Sequence, residues 1–236
     1  MVARGLAPTR SRARDLIRRG LVELEGAVET RAGASVAGNV DIRVLGSASD
    51  VSRGAAKLRA ALDHFGFPAD GVVALDIGAS TGGFTQVLLE RGASRVYAVD
   101  VGHRQLDARL FADPRVISLE RCDARQINSG LVPEPVGAVV ADASFISLIK
   151  ALPAPLALAA PGAWLVALIK PQFEVGRTLV GKGGIVRDAL ARQRAVDMVR
   201  RWVGEQPGWR VRGVVASPIA GGSGNEEFLL GAVHDG

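Results

Sequence analysis

The sequence predicts an α/β fold: a doubly wound, mostly parallel seven-stranded sheet preceded by a small α+β module. Three observations carry that expectation. From Val72 onward, apolar runs at 72–76, 95–100, 115–119, 137–142, 163–169, 209–216 and 227–234 alternate with helical or loop segments. The first run leads through a glycine-rich turn, residues 78–83, into a stretch with apolar residues at helical spacing that closes on Gly92. Only residues 218–225 separate the last two runs, too few for a parallel crossover, so those strands should pair antiparallel.

Within that frame each segment has a reason. Ser11 is placed to cap a helix running through Arg19, with Leu16 and Ile17 facing inward and Gly20 after it. Residues 21–26 and 40–45 alternate as two strands around a glycine-bearing loop, which closes a module spanning residues 1–46. Residues 47–56 are small and polar and read as a linker. An amphipathic helix from Lys57 to Phe65 then leads into the main domain, residues 57–236. The uncharged stretch 151–169 is broken by Pro153, Pro155, Pro161 and Gly162, so it reads as a buried helix, a turn at Pro161-Gly162 and a strand rather than a membrane span. The helix from Asp188 to Val203 should pack Leu190, Val196, Val199 and Val203 against the sheet. The loop 171–186, with its glycines, is long enough to close over a substrate.

With 236 residues and 48% apolar content, the chain can bury a full core and is not disordered. One cysteine and three histidines exclude a disulfide framework and argue against a structural zinc site, so no metal is expected. The N-terminus has no apolar core for a secretory signal, and the cysteine usage fits a reducing compartment, so the expectation is a cytoplasmic protein without membrane attachment. A net charge of +5 and a pI near 10.1 suit a polyanionic partner. Six arginines crowd the first 20 residues against one acid, Asp15, an arrangement whose mutual repulsion phosphates would relieve. Only four of the 29 basic residues are lysine: Lys57, Lys150, Lys170 and Lys182. Lysine, unlike arginine, can give up its proton when its surroundings allow.

The glycine turn ends without the lysine of a P-loop, and its glycines do not follow the dinucleotide spacing. Asp76 before the turn suits a ligand with a cationic amino-acid end, and Asp100, at the tip of the next strand, can accept from two ribose hydroxyls. A sulfonium, an amino acid and a ribose together describe S-adenosylmethionine. The expected cofactor contacts are Asp76, Gly78, Ala79, Ser80, Thr81, Gly82, Gly83, Phe84, Asp100, Val101, Asp123, Ala124 and Asp142. Ligands bind at the carboxyl ends of strands in such sheets, where Asp142 and Lys170 also fall. Asp142-Ala-Ser-Phe145 lacks the prolines of amine methyltransferases. The lone Cys122 is better placed to line an adenine pocket than to attack a pyrimidine. A lysine beside a carboxylate suits proton removal from a hydroxyl such as ribose 2′-OH, and Lys57 could be the neighbouring cation that eases it.

The runs Val51-Ser-Arg-Gly-Ala-Ala-Lys57, Asp76-Ile-Gly-Ala-Ser-Thr-Gly-Gly-Phe84, Lys170-Pro-Gln-Phe-Glu-Val-Gly176, Gly181-Lys-Gly-Gly-Ile-Val-Arg-Asp188 and Gly224-Asn-Glu-Glu-Phe228 resemble the TlyA family, with Tyr97-Ala-Val-Asp-Val-Gly102 and Ala141-Asp-Ala-Ser-Phe145. These are bacterial rRNA cytidine 2′-O-methyltransferases, sometimes labelled haemolysins and related to FtsJ enzymes. The resemblance implies a Rossmann-like class I methyltransferase fold and a catalytic set on Lys57, Asp142, Lys170 and Glu227. Lys170 would be the base, Asp142 its orienter, and Lys57 and Glu227 would position the ribose. It further implies that residues 1–46 are a ribosomal-S-four-like RNA-binding domain; the family usually opens with a further Arg-Leu-Asp-containing segment, so either the true start lies upstream or the first helix is shortened. Arg4, Arg10, Arg12, Arg14, Arg18, Arg19, Arg53 and Lys182 would then meet ribosomal RNA on the ribosomal subunits. Ala56 stands where the family often has histidine, and Asp50 where an aromatic is common. Two other classes stay open: a catalytically silent RNA-binding factor and a membrane-active haemolysin.

Overall fold

The computed structural model describes residues 1–7, 9–18, 20–45, 50–221 and 224–236. Helix α1 (Arg10–Arg18) packs Ala13 and Leu16 onto Leu21 and Val22. It starts one residue earlier than Ser11, which therefore lies inside the first turn and is not the cap. Gly20, at φ 68°, lets the chain reverse, and its N–H reaches the Ile17 carbonyl. Two strands were expected next, and three form: β1 (Val22–Leu24), β2 (Ala27–Val28) and β3 (Ile42–Val44), ordered β2-β1-β3. The extra hairpin turns on Glu25 and Gly26, both at positive φ. A two-residue turn of that kind normally advertises itself with Asn or Asp before the glycine, so glutamate hid it.

Helix α2 (Gly54–Phe65) takes in the last three residues of the expected linker, and Gly66 at φ 68° ends it. Asp50 and Val51 ahead of it are buried, and the Asp50 carboxylate receives both arms of the Arg59 guanidinium at 2.7 and 2.9 Å. The chain thus folds an acid inward at position 50, against an arginine.

The main sheet comprises β4 (Val73–Ile77), β5 (Arg95–Asp100), β6 (Val116–Glu120), β7 (Val136–Ala141), β8 (Ala159–Ile169), β9 (Trp209–Ala216) and β10 (Phe228–His234), in the order β6-β5-β4-β7-β8-β10-β9. The five strands from β6 to β8 pair parallel, and β10 runs antiparallel to both β8 and β9. Side chains alternate between two cores, as the pleat requires. Leu75, Ile77, Val99, Val139 and Leu165 face one side, where Leu148, Leu152, Val196, Val199 and Val203 cover them. Ala74, Val96, Val140, Val166 and Leu168 face the other, under Leu58 and Leu62 of α2 and Val87 and Leu88 of α3 (Gly83–Glu90). Each such leucine contributes about 2 kcal/mol by leaving water.

Helix α4 (Ala108–Phe111) follows β5. The uncharged stretch differs from its expectation. The single-turn helix α5 (Leu148–Ala151) ends at the stretch's first residue, a second single turn, α6 (Pro153–Leu156), follows inside it, and β8 already begins at Ala159. The pairing of β8 with β7 shifts register between Val136 and Ala138, so an irregularity absorbs Pro161 and Gly162 without ending the strand. Loop 171–186 is a chain of short turns beginning with α7 (Pro171–Glu174). In α8 (Ala189–Gly204), capped by the Asp188 carboxylate, Leu190 is 67% exposed; it faces outward, and Ala191 and Ala195 take the inward positions instead.

Candidate functional site

The turn after β4 is shaped by residues that tolerate left-handed backbone. Gly78 and Gly82 have φ of 81° and 93°. A Cβ on Gly78 would lie 2.9 Å from the Asp142 carbonyl oxygen, so only glycine lets the tips of β4 and β7 approach this closely. One on Gly83 would come within 2.2 Å of Ser52 Oγ, so the entry to α2 also rests on the turn. Asp100 braces the turn: its carboxylate accepts from Ser80 N at 2.8 Å and from Gly102 N at 2.7 Å.

Two cavities open at the carboxyl ends of the strands. A groove of about 1000 Å³ is lined by Asp100, Val101, Cys122, Asp123 and Ala124, among others. A cleft of about 430 Å³ beside it is lined by Ala79, Thr81, Gly83, Phe84, Arg53, Lys57, Lys170 and Glu227. They share Gly78, Ser80, Asp142, Ser144, Phe145, Gln172 and Phe173.

The four expected catalytic residues arrive in two charge pairs in that cleft. Lys170, at the end of β8, places Nζ 2.6 Å from Asp142 Oδ1. That contact lacks hydrogen-bond alignment; the directed bonds run from Nζ to Ser144 Oγ at 2.7 Å and to the Asp142 carbonyl at 3.3 Å. Lys57 Nζ lies 2.5 Å from Glu227 Oε2, with both side chains over nine-tenths buried. Antiparallel β10 makes this meeting possible: Phe228 pairs with Ile169, so the residue before it enters the site beside Lys170. Glu226 points away, exposed and paired with Arg192 at 3.1 Å.

Some expectations are corrected. Asp76 lines neither cavity; it is fully enclosed beneath the turn, where Thr85 Oγ1 donates to it at 2.6 Å and its other oxygen has no partner. Burial, with the fields of Asp142 and Asp100 adding, pushes its carboxyl up to about 7. Gly82 also lines neither cavity, and packs toward Leu106 and Leu110. Lys57 is not a bare cation beside Lys170, because Glu227 neutralises it. Asp123 is held by Arg125 at 2.5 Å, and that hydrogen bond keeps its carboxyl at about 2. Burial raises the Cys122 thiol.

Among the expected RNA contacts, Arg10, Arg14 and Arg18 are exposed along α1. Arg4 donates to the carbonyls of Gly38 and Val40. Arg53 reaches the Ala220 carbonyl at 3.4 Å, and Lys182 is exposed. Arg19 and the side chain of Arg12 fall outside the described residues.

Sequence reasoning missed Ser144, Phe145, Gln172 and Phe173 as site residues. Phe145 is 91% exposed with φ 65°, and its ring lies 5.1 Å from that of Phe173. The available signal was adjacency, since each follows a strand-end charge, Asp142 or Lys170, within three residues.

The FtsJ-like methyltransferase family matches residues 51–233. The chain belongs to this family. It is 47% identical to the 16S/23S rRNA (cytidine-2′-O)-methyltransferase TlyA of Mycobacterium tuberculosis, over 98% of this chain and 86% of that protein. It is also 39% identical to Hemolysin A of Brachyspira hyodysenteriae, over 95% and 94%. A solved protein of Streptococcus thermophilus bearing the name hemolysin superposes with a TM-score of 0.78 at 37% identity, covering 99% of this chain and 86% of that one. An S-adenosylmethionine-dependent methyltransferase of Mesorhizobium loti, at 16% identity, TM-score 0.51 and coverage of 74% and 96%, shares the fold alone. As an FtsJ-like methyltransferase, the chain carries the mostly parallel seven-stranded sheet expected of it. Among the described residues, no helix is long and apolar enough to cross a membrane.

Proposed function

We propose that the chain methylates the ribose 2′-hydroxyl of a cytidine in ribosomal RNA, using S-adenosylmethionine, in the cytoplasm. The observation that carries this reading is the Lys170–Asp142 pair, with Lys170 lining the cleft and Asp142 lining both cavities. The groove fits the cofactor. Gly78 and Ser80 of the turn line it, together with Asp100 and Asp123. Bound there, S-adenosylmethionine would supply an electrophilic methyl group.

The chain's own residues do the rest. Lys170 Nζ, in its uncharged form, accepts the hydroxyl proton; Asp142 and Ser144 fix where that nitrogen points. The buried Lys57–Glu227 pair offers donors and acceptors to the sugar in a fixed geometry. Phe145 presents an exposed ring on which a base can stack. The arginines of α1 would meet phosphates, which set position and not sequence. Residues 1–46 would serve as the RNA-binding domain.

Incubation with methyl-labelled S-adenosylmethionine and ribosomal subunits should place label in rRNA, at a nucleotide whose 3′ linkage resists alkali. Cofactor binding without labelled RNA would overturn the reading in favour of a silent ribosome-binding protein. Dye release from liposomes would favour the haemolysin.

A further inference from the structure

Gln172 Oε1 is enclosed and has no hydrogen-bond partner in the protein. Such groups are rare, because a buried acceptor gives up water and gets nothing back. The residue that carries it lines both the cleft and the groove, two residues after Lys170. Its position is stiffly held. Gln172 sits in the single turn α7 behind Pro171, and the Glu174 carboxylate of that turn accepts from Ser147 Oγ at 2.5 Å and Leu148 N at 2.8 Å. Lys170, the nearest cationic donor in the sequence, is already committed to Asp142 and Ser144. No donor among the described protein residues reaches it, and a turn of the side chain would present it to a ligand in the cleft.

Its neighbours suggest what kind. Phe173 follows Gln172 directly, the Phe145 ring stands 5.1 Å from the Phe173 ring, and all three residues line both cavities, so flat apolar faces border the same space. A planar base lying on such a face turns its edge toward a neighbouring polar group. We propose that Gln172 Oε1 accepts a hydrogen bond from the exocyclic 4-amino group of the target cytosine, holding the base so that its ribose reaches Lys170. This rests on the methyltransferase reading above and adds a base-positioning residue to it.

The test uses subunits reconstituted with rRNA carrying, at the mapped target, either cytidine or its 4-deamino analogue, the 2-pyrimidinone riboside. The analogue has hydrogen where cytosine has the amine, so neither orientation of the amide can recover the bond. Wild-type kcat/KM should fall about tenfold or more on the analogue, since losing the partner of a buried polar group is costly. Gln172→Met, similar in length but unable to accept in that way, should treat the two substrates within about twofold. Its S-adenosylmethionine affinity should match wild type, and its melting temperature should not fall, since it removes an unpartnered group. A merely structural role would lower both substrates together and leave their ratio intact. Retained discrimination in Gln172→Met would overturn the proposal. So would a loss of cofactor affinity with discrimination unchanged, which would mark the cofactor's amino group as the donor. Absence of methylation on native subunits by wild type would instead sink the enzyme reading itself.

Discussion

Asp76 should make the protein less stable as pH rises toward neutrality. Its carboxyl is fully buried, moved from 3.8 in an ordinary setting to about 7. Between those values the native state keeps a proton that the unfolded chain has released, so each step upward in pH disfavours folding. The shift is about three pH units, and each unit is worth about 1.4 kcal/mol, so the full penalty reaches about 4 kcal/mol above pH 7. Asp76→Asn keeps the oxygen that Thr85 Oγ1 donates to and removes the titration. Urea denaturation of both proteins at pH 5 and pH 8 isolates the effect, because every other titrating group is common to the two. The variant should exceed wild type by about 1.5 kcal/mol near pH 5 and by about 4 kcal/mol at pH 8, a gap that widens with pH. A difference independent of pH would refute the burial argument.

Lys170→Arg should cut methyl transfer at least about a hundredfold, since a guanidinium does not give up its proton, while calorimetry finds cofactor affinity within about twofold. Appreciable turnover would remove Lys170 as the base. Glu227→Gln leaves the Lys57 ammonium buried without a counter-charge and should cost about 3 kcal/mol in a urea titration; an unchanged midpoint would mean the pair contributes little. Replacing Arg10, Arg14 and Arg18 together by Gln should lower the slope of log affinity for rRNA against log salt by about 2 to 3, leaving the circular dichroism spectrum unchanged. A slope equal to wild type would move the RNA contacts elsewhere.

The parts of the fold written in local pattern could be read directly. The run ending at Asp76, the glycines after it and the helix to Gly92 are contiguous, and each answers to backbone geometry alone. The antiparallel pairing of the last two strands followed from loop length, but its placement, with β10 between β8 and β9, is a tertiary outcome. The site was less legible. Lys57 and Glu227 are far apart in sequence, and no periodicity announces that they meet; only resemblance put them in one set. Phe145 and Gln172 left no pattern, because one owes its place to a left-handed backbone and the other to an oxygen without a partner. Leu190 erred for a local reason: it sits in the first turn of α8 on the outward face, while its neighbour Ala191 takes the buried position.

The interior position of β10 has a consequence for how the molecule is knit together. Because it lies between β8 and β9 and is preceded directly by Glu227, one segment both closes the sheet and supplies the partner of Lys57. Detaching it would expose two raw sheet margins and leave a buried ammonium uncompensated, so the integrity of the sheet and the charge balance of the cleft stand or fall together.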